Sequence, residues 1–491
     1  MKRILYSFIP PLLVGACLRL FIVLKFPATA GDTLIYDELA TNWVKLGQYA
    51  MAVDGKPTPV DIRMPGYPAF LALIYALTGH TGQSARFAVM LAQVLVDLST
   101  CLVIASLAAL LASLSNPRSN TKRAFITALW LAALCPFTAN YVAVPLTEVW
   151  ATLFTALAFA ILALLATQAS HSTPLSFAYR GITQKHYWKL AALGGFIAGL
   201  GTLFRPETPL LLITAFLLLG YWMLRRGQTK RWLLTCAVMS FACWLPLLPW
   251  VIRNAMTLGE FQPLAPKDTT LPSEVDPKGF LAWERTWLYR MRDCYLVSWK
   301  LNEEEIHLDD IPSWAFDTPD ERDRVAMVLE RYNDETTWTA EEDAVFAQLA
   351  RERTARDPLR TYLWMPLRRG VRMWFTPRIE LVPISGHVFP LAYMREEDPV
   401  DQGLTIVFFL VNVLYLAFGI WGGFRLWQWH RARAAVAMLV AYVVVRTVFL
   451  TTMETPEPRY VLECFPALIA FAAAGVWVWS GDGKTAPQAL P

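Results

Sequence analysis

Three carboxylates, Asp32, Asp37 and Glu38, fall close together near the start of the chain, and Arg63 follows just ahead of a Pro-Gly-Tyr-Pro segment at 65–68. One positioned carboxylate can take the proton from an attacking hydroxyl. Arginine suits the complementary task, because its planar fork binds phosphate oxygens in pairs. Other charged residues stand beside prolines or at the edges of apolar runs. They are Glu148 after Leu146-Thr147, Arg205 and Glu207 around Pro206, Arg253 beyond Pro249-Trp250, and Arg459 before Tyr460. On a helix Asp32 and Tyr36 share a face, with Asp37 and Glu38 turned away from it.

The chain that must position these groups has 491 residues, of which 55% are hydrophobic and only 17% charged. Soluble chains carry roughly 25% charged residues, so the composition points to a membrane. A net charge of +4 is small for this length. With no zinc-finger or RNP-type pattern beside it, nucleic acid is excluded as a partner. Six of the seven cysteines sit in or beside apolar runs and only Cys294 lies in a long polar stretch, so neither a disulfide framework nor a metal cluster is implied. The histidines His80, His171, His186, His307, His387 and His430 are scattered, without a metal-ligand spacing. No cofactor or metal is therefore expected, and loop carboxylates are the one place left for a divalent ion.

Apolar runs near 4–26, 85–114, 124–141, 146–168, 189–204, 207–224, 232–251, 403–425, 434–452 and 461–480 predict an all-α polytopic protein. That makes about ten spans, the short Gly-rich run at 189–204 being the least typical. Val14-Gly15-Ala16-Cys17 resembles a lipoprotein cleavage box, but the apolar run continues through Leu24, so an uncleaved first helix is expected. Basic clusters at Lys2–Arg3, Arg118–Arg123, Arg180–Lys189, Arg225–Arg231 and Arg425–Arg433 alternate onto one side. By the positive-inside rule both termini are then cytoplasmic, and 27–84, 252–402 and 453–460 face outward together with Arg205-Pro206-Glu207. The chain divides into an N-terminal bundle (1–255) carrying the first outer loop (27–84), an extracytoplasmic region (256–402) and C-terminal spans (403–491).

Within the long outer region, Thr318-Pro319-Asp320-Glu321 and Thr339-Ala340-Glu341-Glu342 read as helix starts. Apolar stripes follow each, at Val325, Val328 and Leu329 and at Val345, Phe346 and Leu349, predicting a small helical subdomain. Beyond it, Arg360–Phe375 mixes arginine with tryptophan and tyrosine, a composition suited to the headgroup layer. The wider run Arg351–Arg378 reads as an interfacial face; a sharper reading makes it an acceptor site for an anionic glycolipid.

Taken in order, the acid after the first span, Arg63-x-Pro-Gly-Tyr-Pro, Leu146-Thr147-Glu148, Arg205-Pro206-Glu207, Pro249-Trp250-x-x-Arg253-Asn254 and Arg459-Tyr460 form a pattern. This set resembles the GT-C membrane glycosyltransferases, in particular bacterial relatives of protein O-mannosyltransferases, lipid A aminoarabinose transferases and lipopolysaccharide galacturonosyltransferases. It covers roughly 1–255 and 400–480 and leaves 260–400 without a recognised motif. The resemblance implies a GT-C-like bundle in the inner membrane and Asp32 as the acid that serves the reaction, with Arg63, Arg205, Arg253 and Arg459 as candidates to hold a donor phosphate. Asp37, Glu38 and Glu148 are secondary acidic candidates. Arg63 stands two positions before Pro65, where the aminoarabinose transferases have a lysine directly before proline. The mannosyltransferases' adjacent Asp-Glu pair has no single counterpart among Asp32, Asp37 and Glu38.

The expected activity is transfer of a sugar from a polyprenyl-phosphate donor to an extracytoplasmic acceptor. Phosphate leaves as an anion, so no protonating acid is needed, unlike glycoside hydrolysis with its two carboxylates. One base and fixed cations in a dry site suffice, and in-line displacement predicts inversion. Against this stand plainer readings. Asp32 could cap a surface helix, Asp37 and Glu38 could be solvated or structural, and Glu148 and Glu207 could simply favour helix starts. The arginines could anchor spans by snorkelling. Of three charged residues within spans, Arg19 and Arg446 lie towards the outer end, where they could face a lipid phosphate, and Asp97 pairs inside the bundle. The rival functions are a transporter or flippase, a glycan ligase or polymerase, and a non-catalytic assembly factor.

Overall fold

A computed structural model describes residues 2–116, 118–170, 184–266, 270–271, 274–389 and 398–478. Arg180 and His171 lie outside the described residues, as do the side chains of Lys2, Arg3 and Lys185. The chain runs from α1 (Lys2–Lys25) to α2 (Gly31–Leu46), a two-stranded hairpin β1 (Ala50–Val53) and β2 (Lys56–Pro59), and α3 (Gly66–Thr78). Then follow α4 (Arg86–Ser115), α5 (Thr121–Ala133), α6 (Pro136–Ala139), α7 (Glu148–Ser170), α8 (Gln184–Thr202), α9 (Leu210–Leu224) and α10 (Thr229–Thr257). The polar region holds α11 (Lys278–Glu284), α12 (Met291–Leu296), α13 (Pro319–Glu335), α14 (Ala340–Arg356) and α15 (Met365–Trp374). The chain returns to apolar helices with α16 (Pro399–Trp427), α17 (Arg433–Thr451) and α18 (Phe465–Trp477).

Seven of the described helices are long and apolar enough to cross a membrane. An eighth span forms if α5 and the segment Pro136–Ala143 are counted together, bent by 52° where proline interrupts the helical hydrogen bonds. The runs at 189–204 and 207–224 form α8 and α9. With 15 residues, α9 is too short to cross a bilayer upright, and the chain reverses between the two at Arg205-Pro206. Close packing explains the glycines of α8. A Cβ on Gly195 would meet the carbonyl of Met239 at 2.1 Å, and one on Gly199 that of Cys243 at 2.2 Å. Glycine at this four-residue spacing thus lets α8 and α10 touch backbone to backbone.

The charged clusters sort to the two ends of the bundle. The Arg123 guanidinium lies 4.9 Å from the Trp477 ring, and Arg226 donates to the Ala169 carbonyl at 2.8 Å. The start of α5 and the ends of α7, α9 and α18 therefore meet at one end, while Asp32, Arg63, Glu148, Arg205 and Arg459 meet at the other. Between them Arg19 is fully buried, donating to Asp97 Oδ2 at 2.5 Å and to the carbonyls of Ala133 and Gly15 at 2.8 and 3.0 Å. This corrects the expectation that Arg19 faces a lipid phosphate: its donors are taken inside the bundle.

The polar region has its own core, in which Trp283, Trp287, Trp338 and Phe346 pack around α11, α13 and α14. Its helices start where the caps predict. The Thr318 hydroxyl accepts from the Glu321 amide, and Thr339 and Glu342 form a reciprocal capping box. The wider arginine run does not form a single interfacial face. Arg353, Arg369 and Arg378 are buried, because each cross-links backbone or acids across the region. Arg353 binds Glu321 at 2.7 Å, Arg369 donates to the carbonyls of Arg285, Leu288 and Thr451, and Arg378 donates to that of Pro458.

Candidate active site

Asp32 occupies the first turn of α2, where an acidic side chain is favoured by the exposed helix amides. The turn is fixed from below: the Thr33 hydroxyl accepts from the Ala30 amide at 3.2 Å and donates to the Pro145 carbonyl at 3.2 Å. Two arginines from distant segments then clasp the carboxylate. Arg63 donates to Oδ1 at 2.7 Å and Arg459 to Oδ2 at 3.0 Å. Burial raises the Asp32 carboxyl, but the charges of Arg459 and Arg63 outweigh it and hold the group well below the usual carboxylate range.

Arg63 comes from the turn between β2 and α3. The Tyr49 hydroxyl holds that turn by donating to the Arg63 carbonyl at 2.8 Å, and the Gly66 amide donates to the Leu203 carbonyl at 2.7 Å. A Cβ at Gly66 would lie 2.5 Å from that same oxygen, so only glycine lets the turn dock there. Arg459 is the second residue of the tight turn Pro458–Cys464 before α18 and is bound also by Glu457, whose other partner is the Tyr460 hydroxyl at 2.8 Å.

Behind this pair the ionic network continues into the bundle. Arg459 approaches Glu148 at 3.6 Å, and Glu148 is paired with Arg205. Arg205 also reaches Glu207 at 3.4 Å and Glu463 at 4.0 Å, and Glu463 accepts from Arg446 at 2.6 Å. Arg446 is thus engaged by Glu463 and Glu207, a correction to its reading as a residue open to a lipid phosphate. Buried ions of this kind persist only when each has a partner.

The structure brings Asp32, Arg63, Glu148, Arg205 and Arg459 into one network and leaves the other candidates apart. Asp37 is buried against the Tyr75 hydroxyl at 2.5 Å and Arg86 at 3.0 Å. Glu38 accepts from the Ala52 amide at 2.6 Å, tying α2 to the hairpin. Arg253 donates to the carbonyls of Tyr49 and Val60 at 2.6 and 2.8 Å, bracing the hairpin that carries Arg63. It also lines a cavity of about 610 Å³ with Trp43, Tyr49, Pro65, Gly66 and Trp250. The Arg63-bearing turn therefore has the Asp32 network on one side and this cavity on the other.

Glu457 and Glu463 belong to this network but were not singled out in the sequence. Glu463 carried a signal, being an acid among apolar residues at the start of a span, where a charge is costly unless paired. Glu457 stands between prolines in the loop before Arg459, with nothing in its spacing to mark it. Among the described residues, no three His, Cys, Asp or Glu side chains stand close enough together to hold a metal ion.

No family model matches the chain, and no curated protein sequence does. Solved structures do. The archaeal oligosaccharyltransferase AglB from Archaeoglobus fulgidus, in complex with an inhibitory peptide and a dolichol-phosphate, superposes with a TM-score of 0.52 at 13% identity, over 96% of this chain and 50% of that one. The fold is that of the GT-C glycosyltransferases. A second AglB structure, tethered to an acceptor peptide, matches with a TM-score of 0.51 at 12% identity, over 96% of this chain and 49% of that one. ArnT from Cupriavidus metallidurans bound to undecaprenyl phosphate matches at 0.39 and 14%, over 92% of this chain and 77% of that one. The chain spans about half the length of the oligosaccharyltransferase. At these identities the likeness concerns the fold, and the chemistry has to be argued from the site.

Proposed function

We propose that this chain is an inverting membrane glycosyltransferase that moves a sugar from a polyprenyl-phosphate donor to an acceptor on the outer face of the membrane. The observation that carries the reading is the clasp on Asp32, one carboxylate oxygen to Arg63 and the other to Arg459. A carboxylate so held is a poor base, because both lone-pair faces and the charge are already satisfied. A donor phosphate is a stronger partner for the same two guanidinium groups. Its arrival draws the arginines from Asp32, restores the basicity of the carboxylate and places the leaving group against fixed positive charge.

The acceptor hydroxyl then gives its proton to Asp32 as its oxygen bonds to the anomeric carbon. The bond from that carbon to the phosphate oxygen breaks on the opposite side, and the polyprenyl phosphate departs as an anion held by Arg63 and Arg459. Glu148 and Arg205 keep Arg459 in place from behind. The cavity beside Pro65 and Gly66 suits the first isoprene units, since Trp43, Trp250 and the prolines give it an apolar wall next to the phosphate-binding turn. The dolichol-phosphate bound to the archaeal oligosaccharyltransferase agrees in chemistry with this donor class.

The test uses purified protein in nanodiscs with undecaprenyl phosphate and a panel of undecaprenyl-phosphate sugars. Arg63→Ala is expected to weaken undecaprenyl phosphate about tenfold to a hundredfold, the worth of one charge-assisted hydrogen bond. Unchanged binding in that variant, or no binding in the parent, would remove the phosphate clamp and with it this reading.

A further inference from the structure

A second cluster of arginines lies on the polar region, built from none of the residues around Asp32. Arg290 and Arg292 flank the start of α12, and Arg368 and Arg372 project from α15. The Arg290 guanidinium stacks over Trp314 at 4.2 Å and over Tyr289 at 5.3 Å, and Arg368 lies over the same Tyr289 ring at 5.3 Å. Among the described residues, none of these four guanidinium groups forms an ion pair or hydrogen bond with an acid, and Arg290 Nε is buried without an acceptor. Among the described residues, the acid that the arginine charges act on is Asp293, wholly buried, with neither carboxylate oxygen hydrogen-bonded. Burial raises the Asp293 carboxyl and the charges of Arg290, Arg292 and Arg372 oppose that rise, while burial and the charge of Arg290 both act against the charged form of Arg372. Elsewhere in this chain the buried arginines are matched by acids or carbonyls. Three guanidinium groups acting on one acid, with Arg368 sharing the Tyr289 ring with Arg290, carry a surplus of positive charge, and that surplus is what an anion-binding site requires.

The place of the cluster, beside the end of an apolar helix, bears on the kind of anion. Helix α15 lies across the last turn of α17, a membrane-spanning helix: Trp374 Nε1 donates to Thr447 Oγ1 at 3.2 Å and Arg369 donates to the Thr451 carbonyl at 3.2 Å. Leu363, Leu367, Val371 and Phe375 recur every fourth residue from the turn before α15 to the residue after it and are each about half exposed, between 48% and 53%. An apolar stripe beside unmatched arginines at the end of a span is the pattern of a helix seated in the headgroup layer.

We propose that Arg290, Arg292, Arg368 and Arg372 bind the phosphate of an anionic membrane lipid, whose acyl chains cover the Leu363–Phe375 stripe. Aromatic rings beneath Arg290 and Arg368 hold the guanidinium planes open towards the headgroup. Asp293 offsets part of the repulsion among the arginines and lowers the affinity for the anion.

Lipid retention by the full chain in detergent, measured by native mass spectrometry with phosphatidylglycerol, phosphatidylcholine and inorganic phosphate as separate probes, tests this. Phosphatidylglycerol is expected to bind saturably and more tightly than phosphatidylcholine, and to weaken about fivefold for each arginine removed in Arg290→Gln and Arg368→Gln. Asp293→Asn is expected to tighten it, a gain that loss of folding cannot imitate. Arg63→Ala should leave it unchanged, separating this site from the donor site. Equal retention of both lipids, competition by equimolar inorganic phosphate, or unchanged or weaker binding in Asp293→Asn would overturn the proposal.

Discussion

Arg459, at the turn into the last span, donates to Asp32 Oδ2 at 3.0 Å from 427 residues away in the chain. The contact joins the first polar helix to the last span and leaves the charge of Asp32 neutralised before any substrate arrives. In the proposed mechanism this means that the base and the phosphate clamp share the same two cations.

Asp32→Asn is therefore expected to act on turnover and binding in opposite senses. Without the base the rate of transfer falls by about 10² to 10⁴-fold. Without the carboxylate Arg63 and Arg459 are released, so undecaprenyl phosphate binds as tightly as before or more tightly. Equilibrium binding and single-turnover transfer on the same preparation separate the two effects. A variant that loses binding and turnover together would place Asp32 in a structural role instead.

The shared cations also predict a displaced pH profile. In the free protein the Asp32 carboxyl is held below the usual range, so it remains ionised down to acidic pH and its pairing contributes stability until the pH falls through that lowered value. Donor binding withdraws the arginines and raises the carboxyl again. The acid limb of kcat should then lie at higher pH than the acid limb of kcat/KM, since the first reports the donor complex and the second the free enzyme. Coincident limbs would mean that the arginines stay on Asp32 throughout.

How much of this was legible in the sequence depended on the range of the interaction. Of the about ten spans expected from apolar length, seven described helices, or eight with the bent α5 segment, are long and apolar enough to cross, and the starts of α13 and α14 followed from capping residues; both are local properties. The candidates Asp32, Arg63, Glu148, Arg205 and Arg459 were visible as charged residues beside prolines and apolar runs. Their pairing was not, since it joins residues from 32 to 459 that only the packed bundle brings together. The same limit misassigned Arg19 and Arg446: an arginine in a span announces that it needs a partner, but not whether the partner is a phosphate or, as here, Asp97 and Glu463. Arg253 looked like a phosphate ligand by its neighbours, and its role in bracing the hairpin depends on backbone carbonyls that no side-chain pattern records.

Glu284 makes a prediction independent of the site. It is fully buried in the polar region, Ser298 donates to one of its oxygens at 2.5 Å, and the other oxygen has no partner. Burial pushes its carboxyl from the ordinary 4.5 up to about 8. Because the folded value is raised, the folded state is favoured by protonation: that stability is complete below about 4.5 and is lost as the pH climbs to about 8. Glu284→Gln cannot ionise, so its unfolding temperature should hold level across this interval while that of the parent declines. Thermal unfolding in detergent at pH 5 and pH 8.5 measures the difference, and parallel declines in both proteins would assign the loss to other groups.

The pair Arg19–Asp97 is expected to matter for stability and not for donor binding. Both side chains are almost wholly removed from solvent inside the bundle, and the remaining donors of Arg19 are met by the carbonyls of Gly15 and Ala133. Arg19→Leu leaves the Asp97 carboxylate buried without its partner, which costs about 3–5 kcal/mol in comparable buried pairs. Joining it with Asp97→Leu removes both charges together, and such replacements are near neutral or stabilising when the volume is kept. The double variant should thus recover most of the unfolding temperature that the single variant loses, with undecaprenyl phosphate affinity equal to the parent in every folded form. If Arg19 instead met a lipid phosphate, the double variant would be stable yet deficient in binding, and the contact with Asp97 would be incidental.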